Sequence, residues 1–155
     1  WIFGCDVCQE VCPWNRFAPP ARDARLHARA LLDDWSLERF LELDEDGFTR
    51  LFAGSPIRRT RRAGFLRNVC VALGNRGDAA SAPALARTLV QDPDSLVRGH
   101  AAWALGEIGA RPEHPVDVTD SITAALTRAV DQDPSSKVVE ECRLALGRAR
   151  ARAAR

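Results

Sequence analysis

Hydrophobic and polar positions in the second half of the chain follow a pattern that occurs twice. Segments 82–109 and 122–150 align at an offset of 41 residues. In each copy, apolar residues recur every three or four positions before an Asp-Pro pair and again after it, which predicts a helix, a turn and a second helix. Three sets of aligned positions carry the repeat: Leu85 with Leu126, Asp92-Pro93 with Asp133-Pro134, and Leu105-Gly106 with Leu146-Gly147.

A partial earlier copy ends at Leu73-Gly74. It predicts one helix that begins at Ser55-Pro56, with the serine as N-cap and the proline in the first turn, and ends near Gly74-Asn75. Paired helices with a period near 40 residues are typical of HEAT-like solenoids, in which stacked neighbours bury the apolar stripe that one unit cannot bury alone. The sequence therefore predicts an all-α fold with HEAT-like helical repeats over residues 55–155, and a longer loop at 110–120.

Two shorter helices are predicted ahead of the repeats. The first has Ser36 as its N-cap, and the second places Phe48 and Phe52 on one face. A proline-containing stretch at 17–22 predicts a linker before them. The expected domains are a cysteine-rich segment over residues 1–20, a linker with connecting helices over 21–54, and the repeats over 55–155.

Composition is typical of a soluble globular protein, with 46% hydrophobic and 28% charged residues among 155. No apolar run approaches the ~20 residues that a membrane-spanning helix needs, and the start of the chain does not resemble a secretory signal. These features predict a cytoplasmic protein with no membrane partner, and we expect a monomer. Because the first residue is Trp1, we expect the sequence to be a fragment of a longer protein.

Three cysteines close to the start, Cys5, Cys8 and Cys12, are followed by Pro13. Their spacing, C-x2-C-x3-C-P, is the latter part of the bacterial ferredoxin run C-x2-C-x2-C-x3-C-P, in which the cysteine before proline ligates the other of two clusters. We therefore expect the end of a two-cluster ferredoxin-like iron–sulfur module, with its remaining ligands outside this sequence. Zinc is the alternative, but it prefers a fourth Cys or His, and the nearest, His27, lies beyond the linker.

The other two cysteines, Cys70 and Cys142, fall on apolar faces of predicted helices. A free cysteine in such a place behaves as a small hydrophobic side chain. We expect both to pack in the core rather than to bind metal.

Charge is unevenly distributed, although the net charge is only +1. Seven acids against one arginine lie between Asp33 and Asp46, whereas the stretch from Gly47 to Gly77 has seven arginines and no acid. On a continuous helix, Arg58, Arg61 and Arg62 would share a face. Guanidinium groups bind phosphates in bidentate geometry. The alternative is a solvated face balanced by the neighbouring acids.

Two segments, FGCDVCQEVCPWN and GSPIRRTRRAGFLRNVCVALGN, together resemble the C-terminal third of the epoxyqueuosine reductase family. The family's members are iron–sulfur and cobalamin enzymes that reduce epoxyqueuosine to queuosine at the wobble position of certain tRNAs. The resemblance implies an oxidoreductase in which electrons pass through two 4Fe–4S clusters to cobalamin. The cobalamin domain and the catalytic acid of the family lie upstream, so it implies no catalytic residue in this chain.

The resemblance also implies roles for individual residues. Cys5 and Cys8 would ligate one cluster and Cys12 the other, while Gly4 and Asp6 would approach the corrin of cobalamin. The tRNA would contact the basic helix, through Arg58, Arg59, Arg61, Arg62, Arg67 and Asn68.

Two other functions fit part of the pattern. A ferredoxin-type electron-transfer protein with a HEAT-repeat docking domain would explain the cysteines and the repeats, but it leaves the acid-free arginine stretch without a partner. A HEAT scaffold with a vestigial cysteine cluster would take up no iron. The sequence does not indicate the electron donor.

Overall fold

The computed structural model of the chain describes residues 2–20, 22–23 and 32–153. No strand occurs in these residues, so the predicted all-α fold is confirmed for them. The α-helices are α1 Val7–Glu10, α2 Leu37–Phe40, α3 Glu45–Leu51, α4 Arg61–Arg76, α5 Ala82–Gln91, α6 Ser95–Gly109, α7 Val116–Gln132 and α8 Ser136–Ala153. Short 3-10 helices lie at Asn15–Phe17, Pro56–Thr60 and Ala79–Ser81. Within the described residues, no helix is long and apolar enough to cross a membrane.

The core is built from stacked helix pairs. Helix α6 is central: it packs against α4 and α8, and α5 and α7 also contact it. Two glycines allow the central helices to approach closely. A Cβ atom on Gly74 would lie 2.9 Å from the Cα of Ala104, and one on Gly106 would lie 2.8 Å from the Cα of Ala145. Leu73-Gly74 and Leu105-Gly106 therefore mark points where one helix pair contacts the next.

Connecting helices α2 and α3 share a core with the first repeat through a cluster of phenylalanines. The ring of Phe65 on α4 lies 4.9 Å from the ring of Phe52 and 5.4 Å from that of Phe40, centroid to centroid. Phe48 completes the cluster, with its centroid 5.7 Å from Phe65. This packing joins residues 32–54 to the repeats in one hydrophobic core.

Helix boundaries follow the predicted caps at some positions and depart from them at others. The hydroxyl of Ser36 accepts a hydrogen bond from the Arg39 amide at 3.3 Å, which confirms the predicted N-cap of α2. Helix α4 extends to Arg76 and ends at Gly77, whose φ of 70° is the left-handed conformation that favours glycine. The predicted loop at 110–120 is shorter than expected, because α7 already begins at Val116.

The predicted helix from Ser55 is interrupted. Ser55 does accept a hydrogen bond from the Ile57 amide at 3.3 Å, but a 3-10 helix follows, and Arg61 has φ 56° and ψ 166° where α4 begins. The hydroxyl of Thr60 donates to the Ile57 carbonyl at 2.7 Å, which satisfies that carbonyl without a continuing helix. Residues before and after Arg61 therefore do not lie on one α-helical face, and the predicted single helix is wrong here.

Candidate functional site

Cysteine residues of the N-terminal segment are accessible. Cys5 and Cys8 are exposed and Cys12 is half-buried, and all three are free thiols. Gly4, immediately before Cys5, has φ 74° and turns the chain into the four-residue helix α1. A hydrogen bond of 3.0 Å from the Asn15 side chain to the Gln9 carbonyl closes the segment around Cys12.

The three thiols do not form a single metal site. No group of three or more His, Cys, Asp or Glu side chains in the described part of the chain is arranged to hold a metal ion, and His27 lies outside the described residues. Thiolate sulfur is the ligand that iron–sulfur clusters require, and these three thiols are the ones that the core leaves accessible. The three thiols therefore supply the type of ligand that a cluster requires, but they do not complete a metal site within residues 2–20.

The remaining two cysteines are structural. Cys70 and Cys142 are fully buried, which confirms their predicted core positions. Burial, with a smaller contribution from nearby Asp92, raises the pKa of the Cys70 thiol to about 12. Burial likewise raises the pKa of Cys142 to about 11. Both therefore remain protonated and unreactive at neutral pH.

Asp6, the other residue expected near a cofactor, lies at the N-terminal end of α1. It is exposed, and its side chain makes no capping hydrogen bond to the helix. The backbone carbonyl of Asp6 instead accepts hydrogen bonds from Gln9 and Glu10 at 2.8 and 2.9 Å. The carboxylate is thus not used to form the local structure.

An exposed basic surface surrounds the start of α4. Arg58 and Arg59 lie on the 3-10 helix, Arg61 is the first residue of α4, and all three side chains are exposed. None of them forms an ion pair with any residue that the structure describes. The first turn of α4 contains no acidic residue, so the partial positive charge of the helix N-terminus adds to the arginine charges.

The structure corrects the placement of Arg62. Its side chain is only 10% exposed, and it points away from the basic surface into the fold. The Nε atom donates to the Leu43 carbonyl at 2.6 Å, and Nη1 and Nη2 donate to the two carboxylate oxygens of Asp92 at 3.3 and 2.5 Å. All three guanidinium nitrogens are engaged within the fold, so the expectation that Arg62 lies beside Arg58 on a phosphate-binding face is wrong.

Arg67 and Asn68 also have intramolecular partners. Both are half-buried on α4. The Nε and Nη2 atoms of Arg67 donate to the Asn68 side-chain oxygen at 3.1 and 2.9 Å. The Asn68 amide nitrogen donates to the carbonyl of Ile2 at 2.9 Å. The pair therefore lies where α4 contacts the cysteine segment.

Sequence reasoning missed the partners of the repeated Asp-Pro turns. Arg98 on α6 donates to Asp133 through Nε at 2.8 Å and Nη2 at 3.1 Å, just as Arg62 on α4 donates to Asp92. The hydrogen bonds from Arg98 hold the pKa of Asp133 below its usual value. Each aspartate also accepts a backbone amide two residues later, at 2.9 Å for Asp92 and 2.8 Å for Asp133. The recurrence of Asp at the 41-residue offset is the sequence signal for these contacts, but by itself it predicts only a turn.

These stacked pairs, joined across successive repeats by arginine–aspartate contacts, define a helical-repeat protein. The family model described as HEAT repeats matches residues 58–147, and the chain belongs to that family. The HEAT-like repeat prediction is thereby confirmed.

Among characterised proteins, the chain is similar to epoxyqueuosine reductases. It is 42% identical to the Alicycliphilus denitrificans enzyme over 113 residues, covering 68% of this chain and 31% of the relative. It is 42% identical to the Xanthomonas campestris enzyme over 108 residues, covering 70% of this chain and 30% of the relative. The resemblance predicted from the sequence is confirmed, and the chain spans about a third of the length of these relatives, over their C-terminal part.

Solved structures of epoxyqueuosine reductases share the fold. An epoxyqueuosine reductase crystallised with an epoxyqueuosine-modified tRNA-Tyr stem loop superposes with a TM-score of 0.82 at 24% identity, over 96% of this chain and 37% of that one. The enzyme from Bacillus subtilis superposes with a TM-score of 0.74 at 26% identity, over 95% of this chain and 37% of that one.

Proposed function

We propose that the chain is the C-terminal part of an epoxyqueuosine reductase, an oxidoreductase that reduces epoxyqueuosine to queuosine at the wobble position of tRNA. One observation carries the proposal: accessible cysteines in a ferredoxin-like spacing are joined to a HEAT-repeat unit. That unit has exposed arginines with no acidic partner among the described residues. The identity of about 40% to enzymes of that name supports it. A role on tRNA implies a cytoplasmic location.

The cysteine segment would provide ligands for two 4Fe–4S clusters. Cys5 and Cys8 would bind one and Cys12 the other, with the remaining ligands outside this sequence. Such clusters supply one-electron transfer when bound, and in this family the electrons go to cobalamin. The same resemblance would place Gly4 and Asp6, on either side of Cys5, close to the corrin, and the Asp6 carboxylate makes no capping hydrogen bond to α1.

The tRNA would be held by Arg58, Arg59 and Arg61. These side chains are exposed and positively charged, and unlike Arg62 they form no ion pair with the described residues. Contacts of this kind bind phosphates and set the register of the RNA without reading its bases. A structure neighbour solved with a tRNA stem loop supports RNA as the ligand class.

Binding of a tRNA anticodon stem loop tests the basic surface. Fluorescence anisotropy is measured at several salt concentrations with a triple variant that carries Arg58→Ala, Arg59→Ala and Arg61→Ala. Each lost phosphate contact lowers the slope of log affinity against log salt by about 0.7 to 0.9, so the loss of three contacts should lower the slope by about 2 to 3 and weaken binding. A matched triple variant of exposed arginines elsewhere on the repeats, Arg87→Ala, Arg128→Ala and Arg143→Ala, controls for net charge.

An unchanged salt slope in the first variant would exclude this surface as the RNA site. If the unmodified protein also failed to bind the stem loop, a ferredoxin-type electron-transfer protein without a tRNA role would become the better explanation.

Iron and labile sulfide content test the cluster assignment in the protein expressed from its complete gene. Cys12→Ser should remove the iron and sulfide of one cluster and leave the other, because its thiolate belongs to a different ligand set from those of Cys5 and Cys8. Cys142→Ala is the control, since that thiol is buried in the repeats. Iron content equal to that of the unmodified protein in the Cys12 variant would contradict the assignment.

A further inference from the structure

The side chain of Asn68 joins helix α4 to the cysteine segment. The Asn68 amide nitrogen donates to the carbonyl of Ile2 at 2.9 Å, across 66 positions of sequence. The side chain of Ile2 is half-buried and packs against the hydrophobic core that α4 helps to form. A directional hydrogen bond and an apolar contact thus fix the same residue.

Arg67 sets the orientation of this bond. An asparagine side chain has an acceptor oxygen and a donor nitrogen, and its neighbours determine which of the two faces a given partner. Two donors from the Arg67 guanidinium, at 3.1 and 2.9 Å, meet the oxygen of Asn68. The nitrogen is therefore directed to the Ile2 carbonyl. Rotation of the amide by 180° would turn the Asn68 nitrogen towards the Arg67 donors and the Asn68 oxygen towards the Ile2 carbonyl oxygen, and neither arrangement forms a hydrogen bond.

The anchored residue lies close to the first thiol. Only Phe3 and Gly4 separate Ile2 from Cys5, and Gly4 adopts φ 74°, so the direction in which the chain leaves Ile2 determines where Cys5 lies. The following residues form one local unit, since the Asn15 side chain bonds back to Gln9. A shift of Ile2 relative to α4 would therefore carry the thiols with it.

We infer that Asn68, held by Arg67, is a positioning residue that sets the cysteine segment on the repeat stack, and that the pair does not contact tRNA. The inference rests on the proposed function, because it assumes that the cysteine segment holds a cluster. The Nε/Nη2 edge of the Arg67 guanidinium already binds Asn68, and the side chain is half-buried, unlike those of Arg58, Arg59 and Arg61.

Isosteric and truncating variants separate the two roles. Asn68→Asp keeps the size of the side chain and an acceptor for Arg67, but it has no donor for the Ile2 carbonyl. Asn68→Ala removes both contacts. Asn75→Ala is the matched control, because Asn75 is an exposed residue of the same helix.

The protein expressed from its complete gene is reconstituted with iron and sulfide, and three properties are measured. These are the electron paramagnetic resonance spectrum and midpoint potential of the reduced clusters, the affinity for a tRNA stem loop, and hydrogen exchange of the peptide covering residues 2–17. We expect both Asn68 variants to alter the spectrum and potential of the cluster bound by Cys5 and Cys8. Exchange in the peptide should be roughly fivefold faster, as expected for the loss of one net hydrogen bond, while stem-loop affinity stays within about twofold. The Asn75 variant should match the unmodified protein in all three.

Two results would overturn the inference. One is a stem-loop affinity that falls tenfold or more with unchanged spectrum and exchange, which would make Asn68 an RNA contact. The other is unchanged behaviour of both Asn68 variants in every measurement. Failure of the unmodified protein to take up iron would instead refute the proposed cluster function, and the exchange of residues 2–17 would then decide the positioning role by itself.

Discussion

Arg62 and Asp92 form a bidentate ion pair that is almost completely removed from solvent, with side chains 10% and 3% exposed. The pair joins the second helix of one repeat, α4, to the turn between the two helices of the next. The third contact of Arg62, from Nε to the Leu43 carbonyl at 2.6 Å, extends the connection to the segment between α2 and α3. One guanidinium therefore links three parts of the chain that are distant in sequence.

Breaking this pair should destabilise the fold. In Arg62→Ala, the Asp92 carboxylate is left buried without its cation, and removal of one partner from a buried pair typically costs about 3–5 kcal/mol. Urea denaturation followed by circular dichroism measures the free energy of unfolding. Arg59→Ala is the control, and we expect it to change that free energy by less than about 0.5 kcal/mol, because the side chain is exposed. Equal effects of the two substitutions would mean that the ion pair contributes no stability.

The two glycines of the repeated Leu-Gly pairs provide a second, matched comparison. A Cβ atom on Gly106 would lie 2.7 Å from the Cβ of Ala145, whereas one on Gly147 would meet nothing within 4 Å. Gly106→Ala must therefore separate α6 from α8, and overpacking of this kind costs about 1–3 kcal/mol. Gly147→Ala should stabilise the protein by about 0.5–1 kcal/mol, because alanine loses less backbone entropy in a helix.

Thermal denaturation of both variants tests this difference. The melting temperature should fall for Gly106→Ala and rise for Gly147→Ala. A rise in both melting temperatures would show that α6 and α8 can move apart at Gly106 without a loss of stability.

The repeats could be predicted from the sequence because their determinants are local and periodic. Apolar spacing predicts the helices, the Asp-Pro pairs predict the turns, and the 41-residue offset predicts the stacking of repeats. The position of Arg62 could not be obtained in this way, because its partner Asp92 is 30 residues away in another repeat. Helical spacing shows which residues share a face, but it does not show which of those faces contacts a buried acidic side chain.

The same limit applies to the candidate site. The thiols of Cys5, Cys8 and Cys12 were identified from spacing alone, since ligand motifs are short. The partner of Asn68 lies 66 positions away, and no local pattern links it to Ile2. The interruption at Arg61 was missed because a positive φ at a residue other than glycine is set by its surroundings, and not by its own preference.

Glu38 should contribute stability that depends on pH. Burial disfavours its charged form, but hydrogen bonds from Ser81 and neighbouring groups, together with the charge of Arg76, outweigh burial and lower its pKa from 4.5 to about 2. The Ser81 hydroxyl donates to the carboxylate at 2.7 Å, and Arg76 forms a hydrogen-bonded ion pair with it. Because the pKa is lower in the folded state, the contribution is fully present above pH 4.5 and is lost as the pH falls towards 2.

Glu38→Gln removes this charge and tests the prediction. At pH 7 we expect the variant to be less stable by about 1.5–3 kcal/mol, the range for hydrogen bonds to a charged group. The difference from the unmodified protein should shrink as the pH is lowered from about 5 to about 2. Glu42→Gln, at an exposed position nearby, is the control. A difference that stays constant with pH would show that the Glu38 carboxylate has no lowered pKa.

Thiol reactivity should divide the five cysteines into two groups. Cys5, Cys8 and Cys12 are exposed or half-buried, whereas Cys70 and Cys142 are fully buried and have pKa values raised to about 12 and 11. The thiolate is the reactive form, so at pH 8 the buried pair combines a low thiolate fraction with poor access.

With the metal-free, reduced chain, we expect an aromatic disulfide reagent to modify three thiols rapidly under native conditions and all five after denaturation. Mass spectrometry of the modified peptides identifies them. Cys142→Ala should leave the number of rapidly reacting thiols unchanged, and Cys5→Ala should lower it by one. Rapid native modification of Cys70 would contradict its place in the core and would make it a possible cluster ligand, because only an accessible thiol can be presented to iron.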